Sequence, residues 1–166
     1  MKLKFLTLAL CIGLFTACND DDDKSPSWGI DYSSPETTLS AQGSIDQQNA
    51  GPKVTFVVDE AYVVLSEDDK NLHVVRYQFS SNDYLDLIIA KRTSDYNYHF
   101  PGSKNENTLV SAIYNGKALS LKESAVSIQP RPEEDSFHTV VNVHTNDAGD
   151  FNGTVNGVPL LKREEL

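Results

Sequence analysis

The stretch from Lys53 to Leu166 predicts an all-β domain, and three observations carry that prediction. Short β-branched and aromatic runs are separated by turn residues at fairly even spacing, and no stretch sustains a helical apolar period. Within the runs the side chains alternate. Val75, Tyr77 and Phe79 oppose Val74, Arg76 and Gln78, and Phe137, Val141 and Val143 oppose His138, Asn142 and His144. Successive strand residues point to opposite faces, so the first set of each pair is expected inside. Two Asn-Gly pairs, in Tyr114-Asn115-Gly116-Lys117 and Val155-Asn156-Gly157-Val158, supply residues that accept the positive φ of a type I′ hairpin turn.

In chain order, a basic start, Met1-Lys2-Leu3-Lys4, precedes an apolar run from Phe5 to Ala17, the two parts of a secretory signal. As a helix that run spans about 20 Å against the roughly 30 Å of hydrocarbon in a bilayer, so it is not a stable crossing. Ala17 directly before Cys18 resembles the lipobox of bacterial lipoproteins, with Phe15 where that family favours leucine. The resemblance implies that residues 1–17 are removed, that the Cys18 thiol takes a diacylglycerol, and that the new amine is acylated, as by palmitate. The mature chain then has 166 − 17 = 149 residues, one ordinary domain plus a tail. The net charge of −10 becomes −10 − 2 = −12 once Lys2 and Lys4 leave. Such a surface repels phosphate backbones and argues against nucleic acid as a partner. The two cysteines are Cys11 and Cys18, so the domain has no internal disulfide and rests on burial.

Residues 18–52 read as the acylated cysteine and a flexible acidic tether. Asp20, Asp21, Asp22 and Asp23 repel one another, and the residues after them are rich in Ser, Pro, Thr, Gln and Gly. An acidic run just behind an acylated cysteine resembles the export signal of surface lipoproteins of the Bacteroidota. That resemblance implies display on the outer face of the outer membrane, the periplasmic face being the alternative. Trp28, Ile30 and Tyr32 alternate with Gly29 and Asp31, the pattern of a short arm packing its apolar side onto the domain or of an aromatic platform for a sugar or partner.

In the body, strands are expected at Val54–Asp59, Ala61–Ser66, Leu72–Ser80, Tyr84–Arg92, Leu109–Tyr114, Lys117–Leu121, Ala125–Gln129, Phe137–Thr145, Asp150–Val155 and Val158–Lys162. Tyr84–Arg92 has apolar residues on both faces, as a strand covered on both sides would. Pro159 cannot donate to a ladder, which marks the last strand as an edge. Asp147-Ala148-Gly149-Asp150 and Ser66 to Asn71 read as exposed turns.

This many short strands suits an antiparallel two-sheet sandwich, with a small closed barrel of the lipocalin-like kind as the alternative. The strand Leu85-Asp86-Leu87-Ile88-Ile89, the segment Tyr96 to Gly102, the long strand Phe137–Thr145 and the closing Asp150-Phe151-Asn152-Gly153-Thr154-Val155 together resemble small β-sandwich lipoproteins of the Bacteroidota. The resemblance covers the last half of the chain and implies a sandwich and an address, but no activity.

Signals of chemistry are thin. His138 and His144 share a strand face but lie about 20 Å apart at strand rise, too far to share one metal, and all four histidines read as surface or turn residues. No nucleophile elbow or phosphate loop occurs, and paired acids such as Glu133-Glu134 read as solvated charge rather than a glycosidase pair. Asp147, Asp150 and Asn152 with Gly149 and Gly153 lack the spacing of a calcium loop and read as a hairpin turn. No cofactor or metal is expected. The candidate ligand face is Tyr84, Tyr96, Tyr98 and Phe100, whose rings combine apolar area with hydroxyls. The expected function is that of a non-catalytic binding or structural lipoprotein of the cell envelope, meeting a glycan or an envelope protein and held to the membrane through Cys18. Its rivals are a barrel carrying a small apolar ligand and a small carboxylate-based glycoside hydrolase.

Overall fold

The computed structural model describes residues 41–65 and 71–161. Cys18, Asp20 to Asp23 and the Trp28 to Tyr32 arm lie outside these residues, as do most of the turn after Ser66 and the end of the strand expected to reach Lys162. The strands are β1 (Gln42–Gln48), β2 (Val54–Val57), β3 (Glu60–Leu65), β4 (Leu72–Gln78), β5 (Tyr84–Ala90), β6 (Asn97–Phe100), β7 (Thr108–Tyr114), β8 (Lys117–Ala118), β9 (Ser124–Arg131), β10 (Ser136–His144) and β11 (Asp150–Leu161). A 3-10 turn, Pro132–Glu134, joins β9 to β10.

Eight of these strands close on themselves in the order β3, β4, β5, β7, β6, β9, β10, β11 and back to β3. The two-sheet sandwich is therefore not the fold. Alternating strands bury one face equally well in a sandwich or a barrel, and what decides between them is whether edge strands find partners. Here β11 decides it. It pairs with β10 along one side, while its other side meets β1 from Asp150 to Asn156 and then β3 at Leu160 and Leu161. The closed barrel matches the alternative expectation, though its order departs from a simple meander. β5 neighbours β7 rather than β6, and the β6–β7 and β11–β3 pairs are parallel.

The changeover on β11 explains the second Asn-Gly pair. Phe137 faces Val158 and Thr139 faces Val155, so Asn156 and Gly157 together oppose His138 alone. Gly157, at φ 66°, uses its positive φ in a β-bulge inside one continuous strand, not in a hairpin. Pro159 follows where β1 has ended and β3 has not begun, so its missing N–H costs that side no ladder bond. The last strand is thus a barrel stave rather than an edge. The first Asn-Gly pair does make the expected turn between β7 and β8, with Asn115 at φ 50° and Gly116 at φ 78°. A β-carbon on Gly116 would meet only the Tyr84 hydroxyl at 3.5 Å, so its cost is conformational rather than steric. Gly116→Val is expected to lower stability by about 1–2 kcal/mol, read from the urea midpoint.

The folded body begins ahead of the expected Lys53 boundary. β1 falls inside the stretch read as tether, because Gln-Gly-Ser-Ile-Asp-Gln-Gln has a linker's composition. Its one apolar residue, Ile45, is wholly buried, and Gly43 and Gly153 let β1 and β11 approach so closely that a β-carbon on either would stand 2.1 Å from the other strand's carbonyl oxygen. β1 lies between β11 and β2, and β3 takes its place beside β11 at Leu160 and Leu161.

Tyr77, Tyr98, Phe137, Phe151, Leu85, Leu87, Ile89, Leu109 and Ile128 are fully buried in one core that fills the barrel. Each of the Phe, Leu and Ile side chains contributes about 1.5–3 kcal/mol by leaving water. The inward sets expected on β4 and β10 are borne out, with Val75, Tyr77, Phe137, Val141 and Val143 all in this core. β5 is indeed covered on both faces. Opposite Leu85, Leu87 and Ile89, its Asp86 is buried and held by Arg76 through two bonds of 2.6 Å, while that guanidinium lies 4.5 Å from the centre of the Tyr84 ring. One histidine departs from expectation. His73 is wholly buried, because it shares the inward parity of Val75 and Tyr77 on β4.

Candidate functional site

The outer wall of β6, β9, β10 and β11 holds a groove of about 1040 Å³, lined by His99, Phe100, Pro101, Glu106, Lys122, Glu123, Ser124, Ala125, Asn142, His144 and Asp150. Strand parity selects its floor. With Tyr98, Val126, Val141, Val143 and Phe151 turned into the core, His99, Ala125, Asn142, His144 and Asp150 must face out. Ala125 carries only a methyl, which lowers the wall between the side chains of β6 and β10. The segments around Pro101 to Glu106 and Lys122 to Ser124 form the rims.

Two local devices fix this surface. Asn107 accepts bonds from the Arg92 and Thr93 amides at 2.7 and 2.9 Å and donates to the Asp95 carbonyl, which ties the β5–β6 connection to the start of β7 and so positions β6. At the other side, the turn after β10 places His144 opposite Asp150. His144 Nδ1 lies 3.0 Å from Asp150 Oδ1, while Asn49 donates to the second carboxylate oxygen. Burial acts to raise the Asp150 pKa, but hydrogen bonds from Asn49 and His144 and the nearby His144 and Lys122 charges outweigh it and hold the carboxyl below its usual range. That is the reverse of what a glycosidase general acid needs. Asp150 is suited instead to fix the imidazole plane and leave its other nitrogen for a ligand.

The expected ligand face does not assemble. Tyr98 is fully buried, and burial pushes its hydroxyl pKa up. Tyr84 stands on β5 under Arg76, and Tyr96 packs against the core with the Lys91 ammonium 4.6 Å from its ring centre. Phe100 alone reaches the groove, half-buried at the end of β6. The alternation of Tyr96, Tyr98 and Phe100 is real, but it marks the inward face of a strand, and β6 passes unnoticed in the sequence because of its brevity. The sequence feature that lies nearest to this groove is the short turn at Asp147 to Gly149. Counting back across it pairs His144 with Asp150.

The same turn sets the direction of Asp147. Its carboxylate accepts from the Ser120 amide at 3.1 Å and lies 3.3 Å from the Lys117 ammonium. Among the described residues, no group of three metal-ligating side chains converges. No helix among them is long and apolar enough to cross a membrane. No protein-family model, curated protein or solved structure matches the chain. The functional reading therefore rests on the residues themselves.

Proposed function

We propose that this protein is a non-catalytic binding component of the cell envelope, held to the outer membrane through acylated Cys18, that meets its ligand on the outer wall of the barrel. One observation carries the binding half of that reading: the interior is filled by large side chains while a polar groove lies on the outside. A carrier of apolar ligands needs the opposite, an open cavity lined by the inward faces. The groove mixes one ammonium, three carboxylates, two imidazoles and an amide with the Phe100 ring, a lining that orients a polar ligand by hydrogen bonds and offers it one apolar surface.

The address rests on the lipobox-like Ala17-Cys18 and the acidic run behind it. More than one acyl chain makes attachment effectively stable, at about 0.8 kcal/mol per buried methylene. Cys18→Ser is expected to move the protein from the membrane fraction to the soluble fraction with an unchanged melting temperature. Replacing Asp20, Asp21, Asp22 and Asp23 by Ala is expected to leave it lipidated but shielded from protease added to intact cells. A Cys18→Ser protein that still sediments with membranes would sink the anchor, and equal digestion of wild type and the Asp variant would sink the export role.

A further inference from the structure

Cross-strand registers set one row of side chains across the outer wall, beginning in the groove and running beyond it. His99 on β6 is registered with Ala125 on β9, Ala125 with Asn142 on β10, Asn142 with Asn152 on β11, and Asn152 with Asp46 on β1. Neighbouring strands stand about 4.8 Å apart, so the row covers on the order of 19 Å. His99 and Asn142 are exposed and Asn152 is half-buried. The Asn142 and Asn152 amides make no hydrogen bond to another described residue. At the far end, Lys53 at 2.7 Å and the Thr55 hydroxyl at 2.6 Å hold the Asp46 carboxylate in place, and both bonds depress its pKa.

We infer that this row reads a neutral extended carbohydrate, a chain of pyranose rings lying across the strands with one end in the groove. The inference rests on the outer-wall reading above and names its ligand. Sugar hydroxyls donate and accept at once, and the groups that meet them here answer both roles: amides and an imidazole that can do both, and a fixed carboxylate that accepts. A pyranose chain repeats on a length close to the strand spacing, so successive rings meet successive strands. Phe100 and Pro101 give the terminal ring an apolar face to lie on. Glu106, Glu123 and Asp150 outnumber Lys122 in the groove, which disfavours polyanions. An extended peptide would bind by main-chain bonds at an open sheet edge, whereas β9, β10 and β11 have neighbours on both sides and offer only side chains.

The test is calorimetric titration of the full chain with cello-, manno- and galacto-oligosaccharides of increasing length. Affinity for at least one series is expected to rise with each ring until the row is spanned and then level off. Asn152→Ala, which lies beyond the groove, is expected to weaken the longest oligomers about fivefold and leave the shortest unchanged, the effect of one lost hydrogen bond. His144→Ala, within the groove, is expected to weaken all lengths. Affinity independent of length, or an Asn152→Ala protein that binds long oligomers like wild type, would overturn the row and leave the groove standing. If no series binds, while His144→Ala abolishes capture of an envelope protein from intact envelopes, the ligand is a protein and the carbohydrate inference fails alone. If neither variant changes any binding, the outer-wall reading fails with it.

Discussion

Val141→Asp is expected to destabilise the barrel by several kcal/mol. Val141 is 2% exposed on the inward face of β10, registered with Val126 on β9 and with Gly153 on β11. A carboxylate there loses its water in a core built of side chains such as Val126, Val143 and Phe151, which offer it neither charge nor hydrogen bond. Burying such a group without a partner costs several kcal/mol, and losses above about 4 kcal/mol arise from mechanisms of this kind. A domain of this size has about 5–15 kcal/mol in total. Position 142 is the matched control, because Asn142 is exposed on the opposite face of the same strand. Asn142→Asp, His138→Ala and His144→Ala are each expected to change the melting temperature little. Were His144→Ala to cost as much as Val141→Asp in circular-dichroism melting, the inside-out assignment of β10 would be reversed.

That assignment was readable from the sequence because Phe137, Val141 and Val143 share one parity on β10, though Thr139 and Val140 interrupt the pattern. Val75 and Tyr77 likewise share one parity on β4, where His73 went unread, and the two-faced burial of β5 was readable as well. Closure was not readable. It depends on β11 exchanging β1 for β3 across a bulge, and an Asn-Gly pair between β-branched residues looks the same whether it turns a hairpin or bulges a strand. β1 escaped notice for a related reason. Its burial is supplied by Ile45 and by a close backbone approach at Gly43 and Gly153, which leave almost no hydrophobic pattern.

The site was legible in its pieces only. His144 and Asn142 could be placed on one outward face, and Asp150 in a turn, but the His144–Asp150 pair requires the β10–β11 register. His99 joins them through two further pairings that start from a four-residue strand. Of the aromatic residues that looked like a binding face, Tyr96 and Tyr98 are turned toward the core, Tyr84 stands under Arg76 outside the groove, and Phe100 reaches the groove. A sheet's composition reveals which residues share a face, and its closure reveals which face meets water.

His73 supplies the second large effect, a loss of stability on mild acidification. On β4 it is registered with Ile89 and packed in the barrel wall with no exposed surface. Burial pushes its pKa from 6.5 down to about 4, a backbone hydrogen bond with Asn71 opposes that shift, and the Lys91 charge adds to it. The folded state therefore holds the neutral ring at pH values where the unfolded chain already takes a proton. Above pH 6.5 neither state is protonated there, and the full stability is present. Between pH 6.5 and about 4 the unfolded state binds more protons, so stability falls as the pH falls, by about 3 kcal/mol across the window. Asp46, Asp95, Asp147 and Asp150 have lowered pKa values, so their contributions are lost only as the pH drops below the ordinary value of 3.8 and do not blur this window. Urea unfolding at a series of pH values should show the slope in wild type and its absence in His73→Met, which keeps the volume and removes the proton site. An equal slope in both proteins would mean that the acid sensitivity lies with other groups and that His73 keeps nearly its ordinary pKa in the folded barrel.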